Sequence, residues 1–372
     1  MKSIFAAPGL AALFMSFLLV ACGGGGSGGS GGASGTPVAA TPAPAPQPQL
    51  AYPIPGGLWS APSGALPASG NYVYLQSESG DFVGAGRTYT YSKANALIKV
   101  WNNSALTLNA SLQGNENWTG SFMLPSAAGT LQAGYFKDLV RIISATPAGG
   151  GLDWNGAGRG CNTLTGWVVI DNVALTGGVV TALDLRFEQH CEGGSPALHG
   201  QIHWTKADAD SSQVAGPAAI PADLWRPVAS TLPATGNYLY MENPASAAGP
   251  LAFVTYTPAN AVFTLSESGA HLGLTAVTGN SHWALDFQGM QGLTQLAVGY
   301  YAGLQRYPFH NPVLGGLSIS GNGGGCNTLT GWFAVDKAIY SGTALSTVDL
   351  RFEQFCDGST VPLRGQLHWT AN

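Results

Sequence analysis

The nine residues LDLRFEQHC, Leu183–Cys191, return 165 positions later as VDLRFEQFC, Val348–Cys356. Both stretches alternate with period two. Leu183, Leu185, Phe187, Gln189 and Cys191 fall on one side of an extended chain, and Asp184, Arg186, Glu188 and His190 fall on the other. The second copy divides the same way: Val348, Leu350, Phe352, Gln354 and Cys356 oppose Asp349, Arg351, Glu353 and Phe355. This is the signature of a strand with one buried face, and it places the cysteine on the inward side. The outward side reads as an acid–base–acid ladder along one strand.

The repeat extends in both directions. Downstream, Leu183–Thr205 and Val348–Thr370 match at fourteen of twenty-three positions without a gap. Upstream, GCNTLTGW occurs at Gly160–Trp167 and again at Gly325–Trp332. GNYVYL at Gly70 answers GNYLYM at Gly236, and Leu58-Trp59 answers Leu224-Trp225. A duplicated unit of this size is a domain rather than a solenoid repeat, and it can hold its own core. The expected organisation is a leader (1–21), a tether (22–50), copy one (51–205), a linker (206–223) and copy two (224–372).

Within copy one, alternating runs rich in Tyr, Thr, Val and Trp lie at Tyr72–Gln76, Tyr89–Tyr91, Leu97–Trp101, Leu106–Leu112 and Gly200–Thr205. Gly, Pro, Asn and Ser clusters separate them, and no window has the period of an amphipathic helix. The expected fold class is all-β: two tandem β-sandwich or jelly-roll-like domains. The glycine-rich stretch Gly149–Gly160 and its counterpart Gly315–Gly325 read as loops entering the strand that follows.

Cys161, Cys191, Cys326 and Cys356 give each copy one pair thirty residues apart. Four cysteines allow three pairings, and the symmetry of the repeat selects Cys161–Cys191 and Cys326–Cys356. Closing such a loop stabilises a domain by roughly 3–4 kcal/mol in the chain-entropy picture. No CxxC or regular Cys/His set suggests zinc.

The N-terminus has one Lys, a short apolar run and then Leu19-Val20-Ala21-Cys22. The run is of signal-peptide length. LVAC resembles a bacterial lipobox, which implies that Cys22 is the lipidated first residue of the mature chain; the alternative is an ordinary signal peptide cut nearby. Gly23 after the cysteine, in place of the Asp that resembles an inner-membrane retention signal, points to the outer membrane. Residues 23–50 are Gly/Ser-rich and then Pro/Ala-rich, a tether reaching roughly 30–50 Å. The module itself, with G-x-G-x-G-C-N-T-L-T-G-W, L-R-F-E-Q-x-C and G-Q-x-H-W over the last third of each copy, resembles repeat units of exported bacterial proteins. That resemblance implies architecture and compartment, and no activity.

Charged residues make up 9% of the chain and the net charge is −5. There is no basic cluster, which argues against nucleic acid as a partner. No Walker, nucleophile-elbow or zinc-protease signature is present, and no cofactor is expected. Asp184 with Glu188, and Asp349 with Glu353, could form acid/base pairs or calcium sites, but residues four apart on a strand lie roughly 13 Å apart. His199 and His203 share a strand face with the same spacing, so no metal is expected. Trp204 and Trp369 alternate inward and read as core. Trp118, Trp154 and Trp283 sit in Gly/Asn/Ser-rich surroundings and are the candidate ligand platforms, since an exposed ring can stack on a sugar; Trp101 has no tryptophan counterpart in copy two. The function expected from these features is binding of a glycan or another cell-surface component by a protein attached to the membrane through its N-terminal lipid. The alternatives are a structural envelope protein or a polysaccharide hydrolase.

Overall fold

The computed structural model describes residues 52–210, 216–243 and 252–371. The leader, Cys22 and the tether up to residue 51 lie outside the described residues. Copy one contains β1 (Tyr72–Ser77), β2 (Thr88–Ser92), β3 (Leu97–Asn102), β4 (Thr107–Gln113), β5 (Trp118–Met123), β6 (Gly134–Arg141), β7 (Gly151–Gly156), β8 (Leu164–Thr176), β9 (Val179–Cys191) and β10 (Ala197–Thr205). Copy two repeats them as β11 (Tyr238–Asn243), β12 (Ala252–Tyr256), β13 (Val262–Ser268), β14 (His271–Val277), β15 (His282–Gln288), β16 (Gly299–Arg306), β17 (Gly316–Gly321), β18 (Leu329–Ser341), β19 (Ala344–Cys356) and β20 (Leu363–Thr370). The tandem all-β organisation expected from the repeat is present.

Each copy is one ten-stranded sheet, in the order β2-β1-β10-β9-β8-β6-β7-β5-β4-β3 and its equivalent. A flat sheet of that width would hold its outer strands about 43 Å apart. Yet β2 and β3 are those outer strands, and only residues 93–96 join them, a span of at most about 19 Å. The sheet therefore has to curl until its two ends nearly meet. The core records this closure: Phe122 on β5 and Phe187 on β9, four places apart in the order, have ring centroids 5.6 Å apart. Opposed faces of one curled sheet thus make the sandwich-like core.

Around the curl the strands follow chain order except that β6 and β7 are exchanged. They run parallel and pair only at Val140–Gly151 and Arg141–Leu152. Beyond Leu152, β7 keeps β5 on one side and has no strand on the other, so the outward-directed N–H and C=O of buried Trp154 need partners. Gln189, itself fully buried, supplies both: its Oε1 accepts from Trp154 N at 2.8 Å and its Nε2 donates to Trp154 O at 2.9 Å. Gln354 does the same for Ile319, at 2.7 and 2.8 Å. The Cys161–Cys191 and Cys326–Cys356 disulfides form as the repeat predicts, with Cα atoms 5.1 and 5.0 Å apart.

The parity of β9 holds: Leu183, Leu185, Phe187 and Gln189 are buried. Three other readings need correction. The glycine-rich stretch Gly149–Gly160 is not simply a loop, because β7 lies inside it. Its glycines mark close packing: a Cβ on Gly156 would collide with the Trp118 ring, and one on Gly120 across the pair would collide with Trp154. Asp184, Arg186 and Glu188 of β9 do not pair with one another along the strand, although Glu188 meets His190 two residues on at 3.1 Å. Arg186 grips Asp171 of β8 through two bonds of 2.8 Å, and Asp184 meets His203 of β10 at 2.6 Å. Neighbouring strands bring side chains about 5 Å apart, nearer than same-face residues on one strand. The expected linker is also shorter. Lys206–Asp210 forms a helix whose Asp208 accepts from Asn71 N at 2.8 Å, and Ala218 already pairs with Tyr300 of β16.

Replacing Gln189 with Leu strands two buried backbone groups at about 1–3 kcal/mol each. Denaturant titration of Gln189→Leu should show a loss of about 2–4 kcal/mol, and an unchanged midpoint would show that the clamp carries no stability.

Candidate ligand-binding site

Trp118 and Trp154 are almost fully buried, at 1% and 0% exposure. The Trp118 indole N–H donates to the Tyr91 hydroxyl at 2.8 Å, and the Arg159 guanidinium lies over its ring. Trp154 packs between Phe122 and Phe187. Trp283 is half-buried against the second core and donates to the Tyr256 hydroxyl at 3.0 Å. Trp118 and Trp154 offer no free ring face of the kind stacking needs, because their polar-looking flanks are tight turns and close-packed strands rather than open loops; Trp283 keeps part of its ring at the wall of a shallow cleft. Trp204, as expected, is core.

The outer face of β9 and β10 carries a second cluster. Glu188 lies 3.2 Å from His199 and 3.1 Å from His190. The Trp59 ring stacks on His199 with centroids 4.8 Å apart, and Arg186 holds the Trp59 carbonyl at 2.8 Å. In copy two Glu353 contacts Arg364, which lies over Trp225, and Arg351 binds the Trp225 carbonyl. In both copies a segment ahead of the first strand is strapped over this face by Arg and Trp. Among the described residues no group of three or more His, Cys, Asp and Glu could hold a metal ion. This cluster is a seam that fixes the strap.

The hydrogen-bonding His199 ring, followed by His190 and Trp167, pulls the Glu188 carboxyl down to about 2 from an ordinary 4.5, against the opposing effect of burial. A carboxyl that titrates lower when folded stabilises fully above about pH 4.5, and this contribution drains away as pH falls toward about 2. The stability gap between wild type and Glu188→Gln should therefore narrow across that window. A gap that stays constant from pH 6 to pH 2.5 in denaturant titrations would show that Glu188 is not coupled to folding.

One of the open features of copy one is the mouth of the curled sheet, a cleft of about 530 Å³. Its position follows from the closure. Asn102 at the end of β3 accepts from Val180 N at 3.0 Å and donates to Gly178 O at 2.9 Å, which ties β3 to the β8–β9 hairpin. At the other end, Asp208 of the short helix pairs with Lys93 in the β2–β3 turn at 3.6 Å. Between these two ties β3 stands away from β9 and β10. Leu97, Val100, Val180 and Trp204 form an apolar floor. The buried Trp204 indole N–H has no acceptor among the described residues. Lys99, Trp101 and Lys206 line the rim, and Gln291 of copy two closes one side.

Trp101 is 40% exposed, the one tryptophan among the large exposed apolar side chains. Its N–H donates to Asn103 at 2.9 Å, which holds the indole in place without covering it. Lys99 and Trp101 share the outward parity of β3. That parity is legible in the sequence, whereas comparison of the copies hides Trp101, because copy two has Ser266 there. Three of the six lysines of the chain line this cleft, and copy two has Pro258 and Thr264 where copy one has Lys93 and Lys99. The pairing of a lysine with an exposed indole is found on β3 of copy one and not on its counterpart β13.

No family model matches the chain, and no curated protein or solved structure matches it either.

Proposed function

We propose that the protein is an exported, lipid-anchored binding protein of the bacterial outer membrane whose first copy takes a negatively charged glycan at the mouth of its sheet. The observation that carries this reading is the meeting, in one cleft, of a fixed, half-exposed indole with Lys99 and Lys206 over an apolar floor. An indole suits the apolar face of a sugar ring, and the ammonium groups suit a carboxylate, sulfate or phosphate on it. The mouth of a β-barrel-like sheet is a common place for such a site. The two disulfides fit an oxidising compartment, and the LVAC motif with its tether fits display from a membrane.

Titration of the full chain in detergent with uronate-containing and neutral oligosaccharides tests the site. The acidic sugars should bind more tightly. Trp101→Ala should weaken them about tenfold, the loss of roughly 1–1.5 kcal/mol of stacking, and Lys99→Ala should remove most of the preference for charge. Acidic and neutral sugars binding alike, or Trp101→Ala binding as wild type, would reject the reading. Anchoring is tested separately: Cys22→Ala should take up no labelled fatty acid in cells, and labelling equal to wild type would remove the lipid anchor from the proposal.

A further inference from the structure

The two copies meet head to tail. The β2–β3 turn of copy one, with Lys93, Ala94 and Leu97, sits against a groove of copy two formed by Ala218, Met290, Tyr300, Val313 and Leu314. Asn311, 1% exposed, locks the joint: its Nδ2 donates to Asn95 O and to Asn115 Oδ1, each at 2.9 Å. Such a joint uses different surfaces on its two sides, so each copy keeps one surface that the joint does not use.

Copy one has the same groove. In copy two Gln291 N bonds Pro312 O at 2.7 Å, and in copy one Ser126 N bonds Pro147 O at 2.7 Å. Tyr300 N bonds Ala218 O, and Tyr135 N bonds Tyr52 O. The N–H groups of Leu314 and Gly315 close on Asn311 O, and those of Gly149 and Gly150 close on Thr146 O. In copy one this groove, lined by Tyr52, Pro125, Tyr135 and Ala148, is an open cleft of about 490 Å³, against about 300 Å³ where the turn is seated in copy two. Thr146 is exposed where Asn311 is buried, and Ile143 beside it is 79% exposed.

Copy two likewise has the same turn. Asn95 caps its turn by accepting from Ser92 N at 2.8 Å and donating to Thr90 O at 3.0 Å. Asn260 accepts from Thr257 N at 2.7 Å and donates to Thr255 O at 3.1 Å. Asn280 stands where Asn115 does, and both are exposed at the neighbouring turn. Val262, at the position of half-buried Leu97, is 69% exposed. We propose that the groove of copy one receives the Thr257–Val262 turn of a second copy of this chain, so that chains associate head to tail through a repeat of their own internal joint. The Thr146 hydroxyl can serve one of the two acceptors that Asn311 serves, so the joint between chains is weaker than the one within a chain.

Sedimentation of the full chain in detergent, over a range of concentration, tests this. Wild type should associate reversibly, Thr146→Asn should tighten association about fivefold by restoring one hydrogen bond, and Val262→Arg should abolish it. Both positions are exposed, and circular dichroism checks that each variant stays folded. Monomers throughout for wild type and Thr146→Asn would overturn the proposal. So would association that survives Val262→Arg, which would assign it to the micelle, or association lost only when residues 23–50 are deleted, which would give the groove to the tether.

Discussion

The exchange of β6 and β7 in the strand order sets a condition that the rest of each copy has to meet. A curled sheet in simple chain order would give each inner strand a partner on both sides, but here β7 touches β6 at two residue pairs and then faces the interior. Two unpaired backbone groups in that interior would cost about as much as a disulfide of this loop length returns. The amide of Gln189 takes the place of the missing strand, and Phe187 and Cys191, on either side at the same parity, deliver an aromatic wall and the bridge to Cys161. The backbone of residue 154 is what the glutamine holds, so the side chain there is free to differ. Copy two keeps Gln354 and places Ile319 where copy one has Trp154.

This explains which parts of the fold were legible. Parity, strand composition and cysteine spacing are local properties, and β1, β3, β9 and β10 could be read within a residue or a few of their ends. The strand order is a property of partners far apart in the chain, and no local pattern encodes the exchange of β6 and β7. The glycines of β7 misled for a physical reason: Gly156 and Gly120 are small so that Trp118 and Trp154 can lie flat against the backbone, and composition alone cannot separate that use from a turn. The same confusion made buried rings look like platforms. The ladder on β9 was half legible, since its residues are outward and charged, but their partners Asp171 and His203 lie on neighbouring strands.

The duplication also separates frame from surface. Residues identical in both copies are the ones that hold the sheet: the clamp glutamine, the disulfides, the arginine that binds the strap, and Gly166 and Gly331, where a Cβ would strike a carbonyl of the adjacent strand. Several residues that differ lie on top of that frame. Arg159 covers Trp118 in copy one, and Gly324 at the same place leaves Trp283 less covered. Lys99 and Trp101 become Thr264 and Ser266. Matching the copies is therefore a guide to the core, and under the proposed reading a poor guide to recognition, because the proposed site sits where they diverge.

The cleft and the joint between copies are neighbours, and this bears on how binding would scale. Gln291 of copy two lines the cleft whose other walls are Leu97, Lys99 and Trp101 of copy one, so the seated joint completes the site. In a head-to-tail assembly the equivalent place between chains would be built by Val262, Thr264 and Ser266 with Ser126, which offers neither the cation nor the indole. Each chain would then contribute one site, and the two copies within a chain could not supply avidity to each other. Avidity for a polymeric glycan would come from successive chains, held in fixed direction by the joint and at high local concentration by their tethers.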